Sequence, residues 1–134
     1  MENNSLSKIR KITNFGMAYA ASGIRAPLSE KTSFDISKPV QLYWMVTRKC
    51  NFKCEFCDVI RHDNDPKLEL NDDEIEKFIN QMADWGIYKL GISGGEPLIR
   101  KEKVIKAISI AHKHGIWTGL GTNGSLLNEE TAKD

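Results

Sequence analysis

The chain has 134 residues, 40% of them hydrophobic and 28% charged, with 19 basic against 18 acidic side chains and a net charge of +1. That length suits one ordinary domain, and the apolar fraction supplies a core, which excludes wholesale disorder. No run approaches the roughly 18 consecutive apolar residues of a membrane span, and the balanced charge excludes a strongly basic nucleic-acid module, leaving room only for a local patch.

Met1 to Asn4 is polar, not a basic stretch followed by an apolar run, so the sequence gives no export signal. We expect a cytoplasmic protein with reduced thiols. In SLSKIRKITNFGMAYAASGIRAP, the residues Ile9, Ile12, Phe15 and Tyr19 recur at roughly helical spacing beside the basic Lys8, Arg10 and Lys11. Three readings stand for this segment: a helix packed on the main domain, a helix contacting a partner or a membrane surface, and a partly ordered arm. Gly23 and Pro27 end it, and SEKTSFDISK reads as a connector. Residues 1–39 thus form an extension, and the main domain runs over 40–134.

From Val40 the pattern becomes regular. VQLYWMVT alternates Val40, Leu42, Trp44 and Val46 against Gln41, Tyr43, Met45 and Thr47, and both sets are largely apolar. This predicts a strand covered on both faces, as in a parallel sheet. In LNDDEIEKFINQMADWG, Asn71 is an N-cap with Glu74 three residues on, the spacing of a reciprocal capping pair, and Leu70 and Ile75 form a hydrophobic staple. Ile75, Phe78, Ile79, Met82 and Trp85 make one apolar stripe, and Gly86 suits a left-handed exit.

IYKLGIS predicts a second strand running into GGEPLIRKE. A second helix follows with Val104, Ile105, Ile108 and Ala111 on one side, stopping at Gly115. IWTGLGTNG is a third strand with a glycine-rich exit, and Asn128 caps a last helix through Glu129 and Glu130. Strand–helix alternation makes the strands parallel neighbours with the helices outside. Such a sheet ending at a third strand would have an uncovered apolar edge, so we expect the front part of a larger fold.

All three cysteines fall in CNFKCEFC, just past the first strand, where α/β folds place their chemistry. An odd count cannot pair fully into intrachain disulfides. Cys50, Cys54 and Cys57 on one tight loop can hold a four-iron cube by three corners, leaving one iron without a protein ligand. A structural zinc completed by His62 is the alternative metal reading, and buried or incidental thiols are the third. At the end of the second strand, Gly94 and Gly95 let the backbone approach a ligand, Glu96 can accept from an ammonium, and Pro97 fixes the exit. A plain turn with the glutamate in solvent is the simpler reading of this stretch. His112 and His114 lie in the last turn of the second helix and read as structural or solvent-facing. Met82 and Trp85 read as core residues, and Trp44 and Trp117 as lining the sheet or a barrel interior.

CNFKCEFC together with ISGGEPL resembles the radical S-adenosylmethionine enzyme superfamily, over about residues 40–134. The resemblance implies a fold, the N-terminal portion of a parallel partial (β/α)6 TIM-like barrel. It implies a 4Fe–4S cluster on Cys50, Cys54 and Cys57, with S-adenosyl-L-methionine on the fourth iron. Phe56 matches an aromatic position near the adenine, and Gly94, Gly95 and Glu96 match the segment receiving the amino group. Thr122, Asn123 and Gly124 resemble a third-strand Thr-Asn-Gly; Asn123 also reads as a simple cap of the turn. The implied chemistry is reductive cleavage of the cofactor to a 5′-deoxyadenosyl radical that abstracts hydrogen from an unknown substrate. A low-potential electron donor such as flavodoxin or ferredoxin is implied with it. Later barrel strands are not in the sequence, so a zinc-stabilised interaction module and an inactive truncated relative stand as alternatives. The polar loop IRHDNDPKLE is a candidate cover for the site.

Overall fold

The computed structural model describes residues 39–62 and 65–133, together with scattered helical positions between 13 and 24. Ile9, Ile12 and Phe15, on which the expected N-terminal stripe rests, lie outside the described residues. Tyr19 of the same stripe is helical and exposed.

Three strands, β1 (Gln41–Met45), β2 (Lys89–Ser93) and β3 (Trp117–Leu120), form a parallel sheet in the order β1-β2-β3. Leu42 pairs with Leu90, which pairs in turn with Thr118, and Trp44 pairs with Ile92, which pairs with Leu120, so these positions share one face. The crossovers are α1 (Asp72–Asp84) and α2 (Lys101–Lys113), and a short α3 (Glu129–Lys133) follows β3. Parallel strands cannot be joined by a tight hairpin, and the two helices supply the long connections.

Helix α1 starts where the sequence predicts. The Asn71 Oδ1 atom accepts from the Asp73 and Glu74 amides, each at 3.0 Å, and the Asn71 amide donates to Glu74 Oε2 at 2.8 Å. Ile75, Ile79 and Met82 are fully buried against Leu90, Ile92 and the α2 residues Val104, Ala107 and Ala111. Each large aliphatic side chain taken from water there contributes about 1.5–3 kcal/mol. Trp44 meets Phe78 with ring centroids 6.5 Å apart and planes tilted by 56°. Gly86 and Gly115 end the helices with φ of 73°, the left-handed region open to glycine. Asn128 caps α3 through Oδ1, which accepts from the Thr131 amide at 2.8 Å.

Two expectations need correction. Only one face of β1 is covered: Trp44 and Val46 are buried, whereas Tyr43 is 73% exposed and Met45 is also exposed. The buried residues of both crossover helices join one core with Trp44, Leu90 and Ile92, and neither helix covers Tyr43 or Met45. Trp85 is 62% exposed, because it is the C-cap of α1, where the chain leaves the helix toward β2 and the buried stripe has ended. Trp117 lies on the open-face register of β3 and lines the sheet there, as expected of it.

Candidate functional site

The site lies at the C-terminal ends of the three strands, and backbone bonds draw their exits together. Past β1, the Thr47 carbonyl accepts from the Gly95 amide and the Lys49 carbonyl from the Glu96 amide, both at 2.8 Å. This approach is too close for a side chain. A Cβ on Gly94 would fall on the Thr47 carbonyl oxygen, and one on Gly95 on that of Lys49. Gly94 also has a φ of 142°, a region L residues rarely adopt. The paired glycines therefore clamp β2 onto the segment that leads directly into Cys50.

Glu96 is completely buried. Its Oε1 accepts from the Leu98 amide at 2.9 Å and the Thr122 hydroxyl at 2.7 Å, and its Oε2 accepts from the Asn123 amide at 2.8 Å. A buried carboxylate is tolerated where its lone pairs are met by donors, and three are met here. The reading of a glutamate in solvent is overturned. The carboxylate fastens the β3 exit to the β2 exit and begins the helical turn Pro97–Arg100.

Beyond β3, a polar chain crosses to the cysteine loop. Asn123 Nδ2 donates to Asn51 Oδ1 at 3.0 Å and lies 3.9 Å from Cys50 Sγ. Asn51 Nδ2 donates to Ser125 Oγ at 2.8 Å, while Asn123 Oδ1 accepts from the Ser125 amide and hydroxyl at 2.9 and 2.7 Å. Cys50 Sγ also lies 3.4 Å from the Phe52 amide. Asn123 thus does more than cap its own turn.

Cys50, Cys54 and Cys57 are free thiols on this one loop; Cys54 is exposed and the other two partly so, with the Cys57 amide donating to the Cys54 carbonyl at 3.1 Å. Among the described residues, no three His, Cys, Asp or Glu side chains converge on one point as ligands of a single ion. Tetrahedral zinc with Zn–S bonds near 2.3 Å needs sulfurs about 3.8 Å apart. A cube takes each thiolate at a different corner and has no such requirement. His62, the ligand of the zinc reading, pairs with Asp58 Oδ2 at 2.9 Å. Phe56 stands 93% exposed and is not gathered with Glu96, Thr122 and Asn123. His114 Nε2 pairs with Asn80 Oδ1 at 2.7 Å, a contact between helices rather than a site role.

Sequence reasoning missed a second polar centre on the same rim. Glu69 accepts from the Thr47 hydroxyl at 2.7 Å, from Arg100 Nε and Nη2 at 2.8 and 3.2 Å, and from Lys103 Nζ at 3.3 Å. Burial alone would raise its pKa, but these bonds outweigh it and hold the carboxyl at about 2. Glu69 anchors the end of the loop IRHDNDPKLE. With Met45, Thr47, Arg48, Asp65 and Leu68 it lines a cavity of about 190 Å³ beside the β1 exit. No spacing rule links Glu69 to Arg100, 31 residues away. Asn51 and Ser125 were missed too, although Asn51 adjoins the first cysteine.

A profile of the Radical SAM superfamily matches residues 44–134, which includes every element of this site. The chain belongs to the radical SAM superfamily. It is 35% identical over 96 residues to Fe-coproporphyrin III synthase of Methanosarcina barkeri, covering 72% of this chain and 24% of that protein. It is 43% identical over 93 residues to GTP 3′,8-cyclase of Campylobacter jejuni subsp. doylei, covering 66% of this chain and 28% of that protein. A probable GTP 3′,8-cyclase of Methanococcus vannielii is 37% identical over 91 residues, covering 66% and 30%. The chain spans about a quarter to three tenths of the length of these curated relatives.

Radical SAM enzymes use a 4Fe–4S cluster and S-adenosylmethionine. The donor set here fits the cluster. Three thiols stand on one loop, and N–H groups are directed at the Cys50 sulfur, the surroundings of a metal-bound thiolate.

Proposed function

We propose that this chain is the radical-generating part of a radical SAM enzyme, with Cys50, Cys54 and Cys57 holding a 4Fe–4S cluster. One observation carries the reading: the cysteine loop, the Gly94-Gly95-Glu96 turn and the Thr122-Asn123 turn meet at one end of a parallel sheet, joined through buried Glu96. When bound, the cluster and S-adenosylmethionine supply a one-electron cleavage that gives a 5′-deoxyadenosyl radical for hydrogen abstraction.

The chain's own residues prepare the place. Gly94 and Gly95 remove side chains where the β1 and β2 exits must approach backbone to backbone, and Glu96 and Thr122 fix the β2 and β3 exits as a rigid rim. Phe56, on the cysteine loop, supplies the aromatic surface beside the adenine. The loop from Asp65 to Glu69, anchored by Arg100 and Lys103, walls the cavity beside β1 against solvent.

The three strands form the first part of a partial (β/α)6 barrel within residues 40–134, with residues 1–39 as an extension. Among the described residues no helix is long and apolar enough to cross a membrane. A flavodoxin- or ferredoxin-like donor in the cytoplasm would supply the electron that the proposed chemistry needs. One relative is named for a coproporphyrin and another for GTP, yet both match this region. That supports a shared radical-forming part, with substrate chosen elsewhere.

Anaerobic reconstitution with iron and sulfide tests the reading. About four irons with matching sulfide per chain, and a cluster spectrum perturbed by S-adenosylmethionine, are expected. Cys54→Ala should abolish cofactor cleavage and leave the helical circular-dichroism signal in place. One tightly held zinc without sulfide would overturn the proposal.

A further inference from the structure

We infer that Asn123 sets the reduction potential of the cluster by donating a hydrogen bond to the Cys50 thiolate, and that Asn51, Ser125 and Glu96 hold its amide for that purpose; the inference rests on the cluster reading above.

The orientation of the Asn123 amide is determined by its surroundings. Its Oδ1 receives two donors, the amide and the hydroxyl of Ser125, at 2.9 and 2.7 Å. The NH2 group must therefore occupy the other side, where it meets Asn51 Oδ1 at 3.0 Å and Cys50 Sγ at 3.9 Å. Reversing the amide would set its NH2 against the Ser125 backbone N–H, which can only donate. The Asn123 main chain is itself fixed by the hydrogen bond its backbone N–H donates to the buried carboxylate of Glu96.

Cys50 also receives the Phe52 amide, whereas neither Cys54 nor Cys57 receives a donor from the described residues. The three ligands are thus unequal, and the inequality is built from β3 rather than from the cysteine loop alone. Reduction places additional negative charge on a cluster and its thiolates. A donor at a ligand sulfur consequently favours the reduced state and raises the midpoint. Asn123 is in this sense a positioning residue that acts through Cys50. The outcome is a cluster easier for a physiological donor to reduce.

The test is a redox titration of the anaerobically reconstituted full chain, followed by electron paramagnetic resonance. Asn123→Ala removes the donor. Asn123→Asp keeps the oxygen for Ser125 and replaces the donor with an acceptor. Both should shift the redox equilibrium threefold to tenfold toward the oxidised state, a midpoint lower by roughly 30–60 mV at about 59 mV per tenfold for one electron. Should neither variant assemble a cluster, Asn123→Gln carries the test, because it keeps an amide at this position while moving its NH2 group away from Cys50 Sγ. A lowered midpoint there supports the inference. Loaded variants with the wild-type midpoint overturn it while the cluster reading stands. A wild-type chain that takes up no iron and sulfide overturns both.

Discussion

The carboxylate of Glu96 and the hydroxyl of Thr122 lie 2.7 Å apart in the interior, 26 residues apart in sequence, and join the exits of β2 and β3. All three donors around that carboxylate point at oxygen. Glu96→Gln must turn an NH2 group toward one of them. The expected loss is about 1–3 kcal/mol, from an unmade buried bond. Thr122→Val, which removes one donor, should cost less, about 1 kcal/mol. Urea unfolding of the two variants and the parent checks the order, and equal midpoints for all three would show that the carboxylate is not a fastening point.

Glu69 gives the chain an acid-sensitive element. Its folded pKa of about 2 lies below the ordinary 4.5, so the unfolded chain binds the proton more readily. The associated stability is fully present above about pH 4.5 and is lost as pH falls toward 2. With the Glu69 side chain only 8% exposed, the contribution is of the order of 3 kcal/mol. Glu69→Gln should lower stability at neutral pH and flatten the slope between pH 4.5 and 2. A slope unchanged by the substitution would assign the acid sensitivity to other carboxyls.

The cap of α1 is a local contribution. Asn71→Ala removes the acceptor for two amides at 3.0 Å and leaves Glu74 without its reciprocal geometry, at a cost of about 1 kcal/mol. The change lies on the first turn of α1, away from the cysteine loop. Iron uptake should therefore match the parent while the thermal midpoint falls.

Local chemistry explains which features the sequence disclosed. Asn71, Glu74, Gly86 and Asn128 act within a few residues of themselves, and each helix boundary they specify appears in the structure. The cysteine spacing and the Gly-Gly-Glu run were legible in the same way. Glu69 and Arg100 were not, because their pairing depends on how the loop before α1 meets the start of α2, a relation no periodicity encodes. Nor was the task of Gly95. Its sequence suggests room for a ligand, whereas the structure shows the room already taken by the Lys49 carbonyl. The exposure of Tyr43 and Met45 has a related origin. An apolar alternation reports that a face prefers cover and is silent on which part of the fold provides it.

Gly95 offers the sharpest structural prediction. A methyl group there meets backbone, which cannot rotate aside as a side chain can, so Gly95→Ala must force the β1 and β2 exits apart. The bonds from the Gly95 amide to Thr47 and from the Glu96 amide to Lys49, both 2.8 Å, would lengthen together. We expect a loss of about 1–3 kcal/mol from overpacking, with cluster assembly impaired beyond what stability alone explains, because Lys49 directly precedes Cys50. Gly119→Ala is the control. A Cβ on Gly119 meets nothing within 4 Å, although the residue lies in β3 of the same sheet. Denaturant unfolding and iron counting on the pair give the answer. Equal behaviour of the two variants would mean that the glycine turn does not position the cysteine loop.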